Sequence, residues 1–100
     1  MKEKLINNIL ENFDFDKVRK VMDFLNWTWH NEDETPSTYT LINSAKRRLE
    51  EVYEISMRED RNCSISSGGL KASTIWDKGQ VVCLELDFVL ASWEESIDDK

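Results

Sequence analysis

The fold is decided by residues 70–90, LKASTIWDKGQVVCLELDFVL, in which apolar and polar side chains alternate on either side of a short polar break. Alternation with a period of two is typical of a β-strand that buries one face. The break at residues 77–80, DKGQ, contains a glycine of the kind that tight hairpin turns use for a positive φ. The stretch therefore predicts two antiparallel strands joined by a hairpin.

Immediately before the first of these strands lies SISSGGLKA, residues 64–72. Consecutive backbone N–H groups in a glycine-containing turn can bind an anion, and serine hydroxyls and a lysine would add donors. The stretch is not a P-loop, because that motif runs into the N-terminus of a helix and these glycines run into a strand. Two interpretations stay open: a loop that binds an anionic group, or a bulge or sharp entry into the strand.

The first part of the chain has helical periodicity. Apolar residues spaced by three and four predict a short helix that ends near Phe13 and a second helix capped by Asp16. A third and longest helix is predicted from Pro36 to about Arg58, with Thr35 as its N-cap and Pro36 in the first helical position. Helices followed by a hairpin predict a helical layer packed against a sheet.

Trp27 and Trp29 follow the second helix at a spacing of two, so their indoles would project to the same side of a short extended segment. This segment is a candidate third strand at the edge of the sheet. Since an indole face can stack on a nucleobase for ~1–3 kcal/mol, the pair is also a candidate for ligand contact.

Together the patterns predict an α+β fold, with N-terminal helices and one long helix packed on a small antiparallel β-sheet. The sheet would consist of the C-terminal β-hairpin and a possible third short strand. Because a two-stranded ribbon is marginal alone, we expect either that third strand or pairing across a subunit interface. The chain of 100 residues predicts a single domain over residues 1–93 and an acidic tail over residues 94–100.

The net charge of −7 makes the average surface repel nucleic-acid phosphates, so we expect no duplex nucleic acid as a partner. No apolar run approaches the ~20 residues that cross a bilayer, and the first ten residues lack the apolar core of a signal peptide. The sequence predicts a cytoplasmic protein with no membrane partner.

Residues for catalysis or metal binding are sparse. Cys63 and Cys83 lack a CxxC spacing, and with a single histidine they cannot complete a four-ligand zinc site, so we expect no metal and no cofactor. Glu85 and Asp87 would point to the same side of the last strand, where a solvated sheet face that also carries Lys71 is the simpler interpretation. Without an acid/base constellation, we expect a protein that is not an enzyme.

Four blocks carry a resemblance to a family: FDFDKVRKVMDFLNWTW (13–29), TPSTYTLINSAKRRLEEVY (35–53), SSGGLKA (66–72) and LELDFVLASWE (84–94). In order and character they are similar to small uncharacterised proteins of bacteriophages and prophages, although Leu70 stands where an aromatic residue is expected. The resemblance implies the cytoplasm of a bacterial host. It also implies a counter-defence role, either on a host protein surface or by sequestering a nucleotide signal.

We therefore expect a non-enzymatic phage protein that binds an anionic nucleotide-type small molecule and forms a homo-oligomer. The alternative is an acidic protein–protein inhibitor or DNA mimic that acts on a host defence protein. The expected ligand-binding residues are Ser66, Ser67, Gly68, Gly69, Lys71, Trp27 and Trp29.

Overall fold

The computed structural model describes residues 1–26 and 35–89. The described elements are, in chain order, α1 (Lys2–Asn12), α2 (Phe15–Phe24), α3 (Thr38–Glu59), β1 (Ser64–Ser67), β2 (Leu70–Asp77) and β3 (Gln80–Phe88). The strands form one antiparallel sheet in the order β1-β2-β3. The predicted α+β fold is confirmed, including the long helix and the C-terminal hairpin. None of the described helices is long and apolar enough to cross a membrane.

The third strand of this sheet is β1, which sequence reasoning did not identify as a strand. Its four residues contain one apolar side chain, Ile65, so the alternating pattern is too short to recognise. Trp27 and Trp29, the predicted source of a third strand, lie outside the described residues.

The predicted cap of α2 is wrong by two residues. Asp14, not Asp16, is the N-cap, and its Oδ1 accepts a hydrogen bond of 3.0 Å from the backbone N–H of Lys17. Asp16 lies in the first turn of α2, where its Oδ1 accepts a hydrogen bond of 3.1 Å from the hydroxyl of Thr38 on α3. Both aspartates are residue types that cap helices. Asp14 is the N-cap because its side chain reaches an unpaired backbone N–H three residues later.

The predicted cap of α3 is also wrong by two residues. Ser37 is the N-cap in place of Thr35, and its Oγ accepts a hydrogen bond of 3.1 Å from the N–H of Thr40. Pro36 precedes the cap and is buried, so it packs into the fold and does not begin the helix.

The helices lie on one face of the sheet. α3 packs on the strands, chiefly on β2, while α1 contacts α3 and β3, and α2 contacts α3. The buried apolar side chains form one cluster: Ile6, Phe15, Val18, Met22, Leu41, Ala45, Leu49, Val52, Leu70, Ala72, Val81, Leu84 and Leu86. The opposite face of the sheet, called the open face below, has no covering element among the residues that the structure describes.

Candidate functional site

The glycine pair forms the turn of the first hairpin. Ser67 pairs with Leu70, so Gly68 and Gly69 are the two central residues of a two-residue turn. Their φ angles of 61° and 88° are both positive, as a type I′ turn requires, and glycine adopts such angles without steric cost. The carbonyl of Gly69 accepts a hydrogen bond of 2.8 Å from the N–H of Val89. Backbone geometry therefore accounts for both glycines without a ligand.

The neighbouring donors lie on the open face of the sheet. Ser64 is directly opposite Ser73, and Ser66 is directly opposite Lys71. Since side chains two apart on a strand share a face, these four point away from the face on which Ala72 is buried. Side chains directly opposite each other have Cβ atoms about 4.5–5.5 Å apart, so the Cβ atoms of three serines and one lysine lie close together on this face. We call Ser64, Ser66, Lys71 and Ser73 the serine–lysine patch.

The polar groups of this patch are available for a ligand. None of its four side chains makes a hydrogen bond or ion pair with another residue in the described part of the chain. Ser64 and Ser66 are exposed, and Lys71 and Ser73 are half-buried. A serine hydroxyl both donates and accepts, and a lysine ammonium donates up to three hydrogen bonds.

A groove of about 410 Å³ borders the patch along β1. Arg61 at its rim is already engaged, because its Nε and Nη2 donate to Oε1 of Glu59 at 3.0 and 2.6 Å. This hydrogen bond raises the pKa of Arg61 above its ordinary value. Of the two cations that line the groove, Lys71 makes no ion pair with another residue in the described part of the chain. The groove is lined by Ile55, Arg61, Asn62, Cys63, Ser64, Ile65, Lys71, Ser73 and Thr74.

A clamp of three hydrogen bonds, centred on the buried Thr74, fixes the position of β1 beside β2. The N–H of Cys63 donates to Oγ1 of Thr74 at 3.0 Å, and the N–H of Thr74 donates to the carbonyl of Cys63 at 2.9 Å. One residue further, Asn62 accepts a hydrogen bond of 2.7 Å through its Oδ1 from the N–H of Trp76. These bonds set the register that places Ser64 opposite Ser73.

Carboxylates border the patch on its β3 side. Asp87 lies opposite Lys71, Glu85 lies opposite Ser73, and both carboxylates are exposed. Neither comes within 4.0 Å of the Lys71 ammonium. Because exposed ion pairs contribute only ~0–1 kcal/mol, these carboxylates leave Lys71 able to bind an anion.

The structure brings together part of the predicted site. Ser66 and Lys71 belong to the patch, while Gly68 and Gly69 belong to the turn, and Ser67 joins the two through its pairing with Leu70. Trp27 and Trp29 lie outside the described residues. Sequence reasoning missed Ser64 and Ser73 as site residues, since only the register of β1 makes them neighbours. Within residues 1–26 and 35–89, no three His, Cys, Asp or Glu side chains lie close enough together to hold a metal ion.

Comparisons with protein-family models, curated proteins and solved structures found no match to this chain. The resemblance to phage proteins therefore stays a prediction, and the function is argued from the residues of the patch and the groove.

Proposed function

We propose that the protein is a non-enzymatic binding protein that holds the phosphate of a nucleotide-type small molecule on the serine–lysine patch. One observation carries the proposal: three serines and one lysine lie next to each other on the open face, and none of their side chains has a partner among the described residues. Hydrogen bonds from charged donors to phosphate are stronger than those between neutral groups, so Lys71 is the main anchor and the serines orient the oxygens.

The surroundings of the patch suit a small ligand better than a nucleic acid. The net charge of −7 and the exposed Glu85 and Asp87 repel an extended polyanion, so binding depends on local donors. The groove volume of about 410 Å³ lies within the range of ~300–1,000 Å³ that is common for small-molecule sites.

Two parts of the hypothesis rest on sequence alone. Stacking of a base on Trp27 or Trp29 stays a prediction, because both residues lie outside the described part of the chain. A counter-defence role stays a prediction from the phage resemblance. Neither is needed for the phosphate site.

The direct test is an NMR titration of the ¹⁵N-labelled protein with adenosine 5′-monophosphate, adenosine 5′-triphosphate and uncharged adenosine. We expect saturable shifts of the backbone amides of Ser64, Ser66, Lys71 and Ser73 with both nucleotides, and much smaller shifts with adenosine. Shifts confined to the helices, or no shifts at millimolar nucleotide, would contradict the proposal. The acidic-inhibitor hypothesis would then be the one to pursue.

A further inference from the structure

The outer edge of β1 exposes main-chain hydrogen-bonding groups. The hydrogen bond of 2.9 Å from Thr74 to Cys63 marks a hydrogen-bonded pair, and such pairs alternate along an antiparallel ladder. Ile65–Ala72 and Ser67–Leu70 are therefore the next hydrogen-bonded pairs. It follows that the N–H and C=O groups of Ser64 and Ser66 point away from β2. In the described part of the chain β1 pairs with β2 alone, so these groups have no strand to bind.

This edge also lacks the usual protection against strand pairing. Exposed edge strands commonly carry a lysine, a proline or a bulge that blocks a further strand, and residues 64–67 contain no charged residue and no proline. The opposite edge is different, because β3 carries Glu85 and Asp87 and packs against α1. Pairing of two β3 strands would bring the carboxylates of two copies together, and these repel each other. Pairing of two β1 strands would bring uncharged residues together.

We propose that β1 pairs antiparallel with β1 of a second copy of this chain, which gives a two-fold symmetric dimer with one continuous six-stranded sheet. The outward groups set the register: Ser64 pairs with Ser66 of the second copy, and Ser66 pairs with its Ser64. Each of these two pairs exchanges two main-chain hydrogen bonds. Ile65 then lies opposite Ile65 of the second copy, on the side of the sheet that faces the helices.

The packing of α3 leaves room for the second copy. α3 lies chiefly over β2, less over β3 and least over β1. The groove between Ile55 and β1 is the space that this arrangement leaves beside the free edge. In the dimer the β1 strand of the other copy would close the side of this groove that is lined by Ile55 and Ile65, and the side lined by Ser64, Lys71 and Ser73 would stay open. The half-buried Ile55 and Ile65 would then lose exposed apolar surface, which favours association.

The dimer would join the two serine–lysine patches into one surface. Four serine hydroxyls, from Ser64 and Ser66 of each copy, would lie between the two Lys71 ammonium groups. The two Lys71 residues would be three strand spacings apart across the sheet, about 14 Å, and two residues apart along the strands, about 7 Å, so their Cα atoms would lie about 16 Å apart. This consequence rests on the proposed function, and it favours a ligand with two anionic groups over one with a single phosphate. The pairing of β1 itself does not depend on a ligand.

Sedimentation equilibrium of the full chain tests the pairing. The wild type is expected at twice 11.8 kDa at micromolar concentration. Ser64→Pro removes one outward N–H and no hydrogen bond to β2, so it should weaken the dimer at least tenfold, while Ser64→Ala keeps the N–H and should leave the dimer intact. A monomeric wild type, or equal dimerisation of the two variants, would overturn the proposal.

A cross-link provides a second test that does not depend on the proline variant folding. In a chain with Cys63→Ala and Cys83→Ala, Ile65→Cys would place two thiols opposite each other at a pair without ladder hydrogen bonds, where the Cβ atoms lie closest. Mild oxidation should give a covalent dimer within minutes. Ile75→Cys, at the far end of the open face, is the control and should stay monomeric. Equal cross-linking of both variants would refute the proposed register.

These measurements separate the dimer from the proposed function. A monomer that shows the nucleotide shifts described above would rule out the proposed dimer and support the phosphate site. A dimer that shows no such shifts would support the β1 pairing and rule out the phosphate site.

Discussion

The two hairpins of the sheet share a turn geometry but not a sequence or an environment. Gly68 and Gly69 form the first turn with φ of 61° and 88°, and Lys78 and Gly79 form the second with 49° and 91°. Gly69 is buried, whereas residues 77–80 are exposed throughout. The second turn shows that this geometry accepts a residue with a side chain at its first position, where Lys78 has a φ of 49°. A glycine pair at the first turn is therefore not in itself evidence of an anion site.

The strands beside the two turns differ in the side chains that they show on the open face. Next to the first turn, Ser66 and Lys71 face each other on the open side of the sheet. Next to the second turn, the open side shows Ile75 and Val82, which are 40% and 44% exposed. The donors of the proposed site thus lie on β1 and β2, beside the first turn and not within it.

Gly69→Ala should have the largest effect on stability. An alanine at a φ of 88° costs ~1–2 kcal/mol, and at this buried position the added methyl group must also be accommodated. We expect a loss of about 2 kcal/mol in the free energy of unfolding, measured by urea denaturation. An unchanged stability would show that the first turn does not hold this geometry in solution.

Gly79→Ala should cost less, about 1 kcal/mol, because the backbone strain is the same but no atom lies within 4 Å of the position of the new Cβ. The difference between the two alanine variants measures the contribution of packing at Gly69. The same denaturation experiment gives both values. A larger loss of stability for Gly79→Ala than for Gly69→Ala would contradict a packing cost at Gly69.

Lys78→Asn should have the smallest effect on stability, and it should stabilise the protein where the two alanine variants destabilise it. Asparagine adopts a positive φ more readily than lysine, and Asn-Gly is a preferred type I′ pair. We expect a gain of about 0.5 kcal/mol, which for a domain of this size raises the melting temperature by roughly 2–4 °C. A lower melting temperature would mean that Lys78 makes a stabilising contact in solution.

The sequence predicted the elements with long periodic patterns. Residues 70–90 gave the β2–β3 hairpin, and the apolar spacing after Pro36 gave α3. It did not predict β1, whose single apolar residue, Ile65, leaves no period to detect. It misplaced two helix caps by two residues, because the choice between neighbouring candidates such as Asp14 and Asp16 depends on which side chain reaches a free N–H.

Only part of the candidate site was predictable from the sequence. Ser66 and Lys71 could be named from their residue types and their position beside the glycines. Ser64 and Ser73 could not, because they are nine residues apart in the chain and become neighbours only through the β1–β2 register. The clamp between Cys63 and Thr74 that fixes this register is a tertiary contact without a sequence motif.

Under the proposed function, a phosphate binds to Lys71 on the open face and not to cationic side chains in general. The most direct measurement is the dissociation constant of adenosine 5′-triphosphate for Lys71→Gln and Lys78→Gln, which remove the same charge beside the first and the second hairpin turn. A hydrogen bond from a charged donor contributes ~1.5–3 kcal/mol, so Lys71→Gln should weaken binding by roughly 10- to 100-fold, while Lys78→Gln should change it less than about twofold. Equal affinities for the two variants would contradict the assignment of the site.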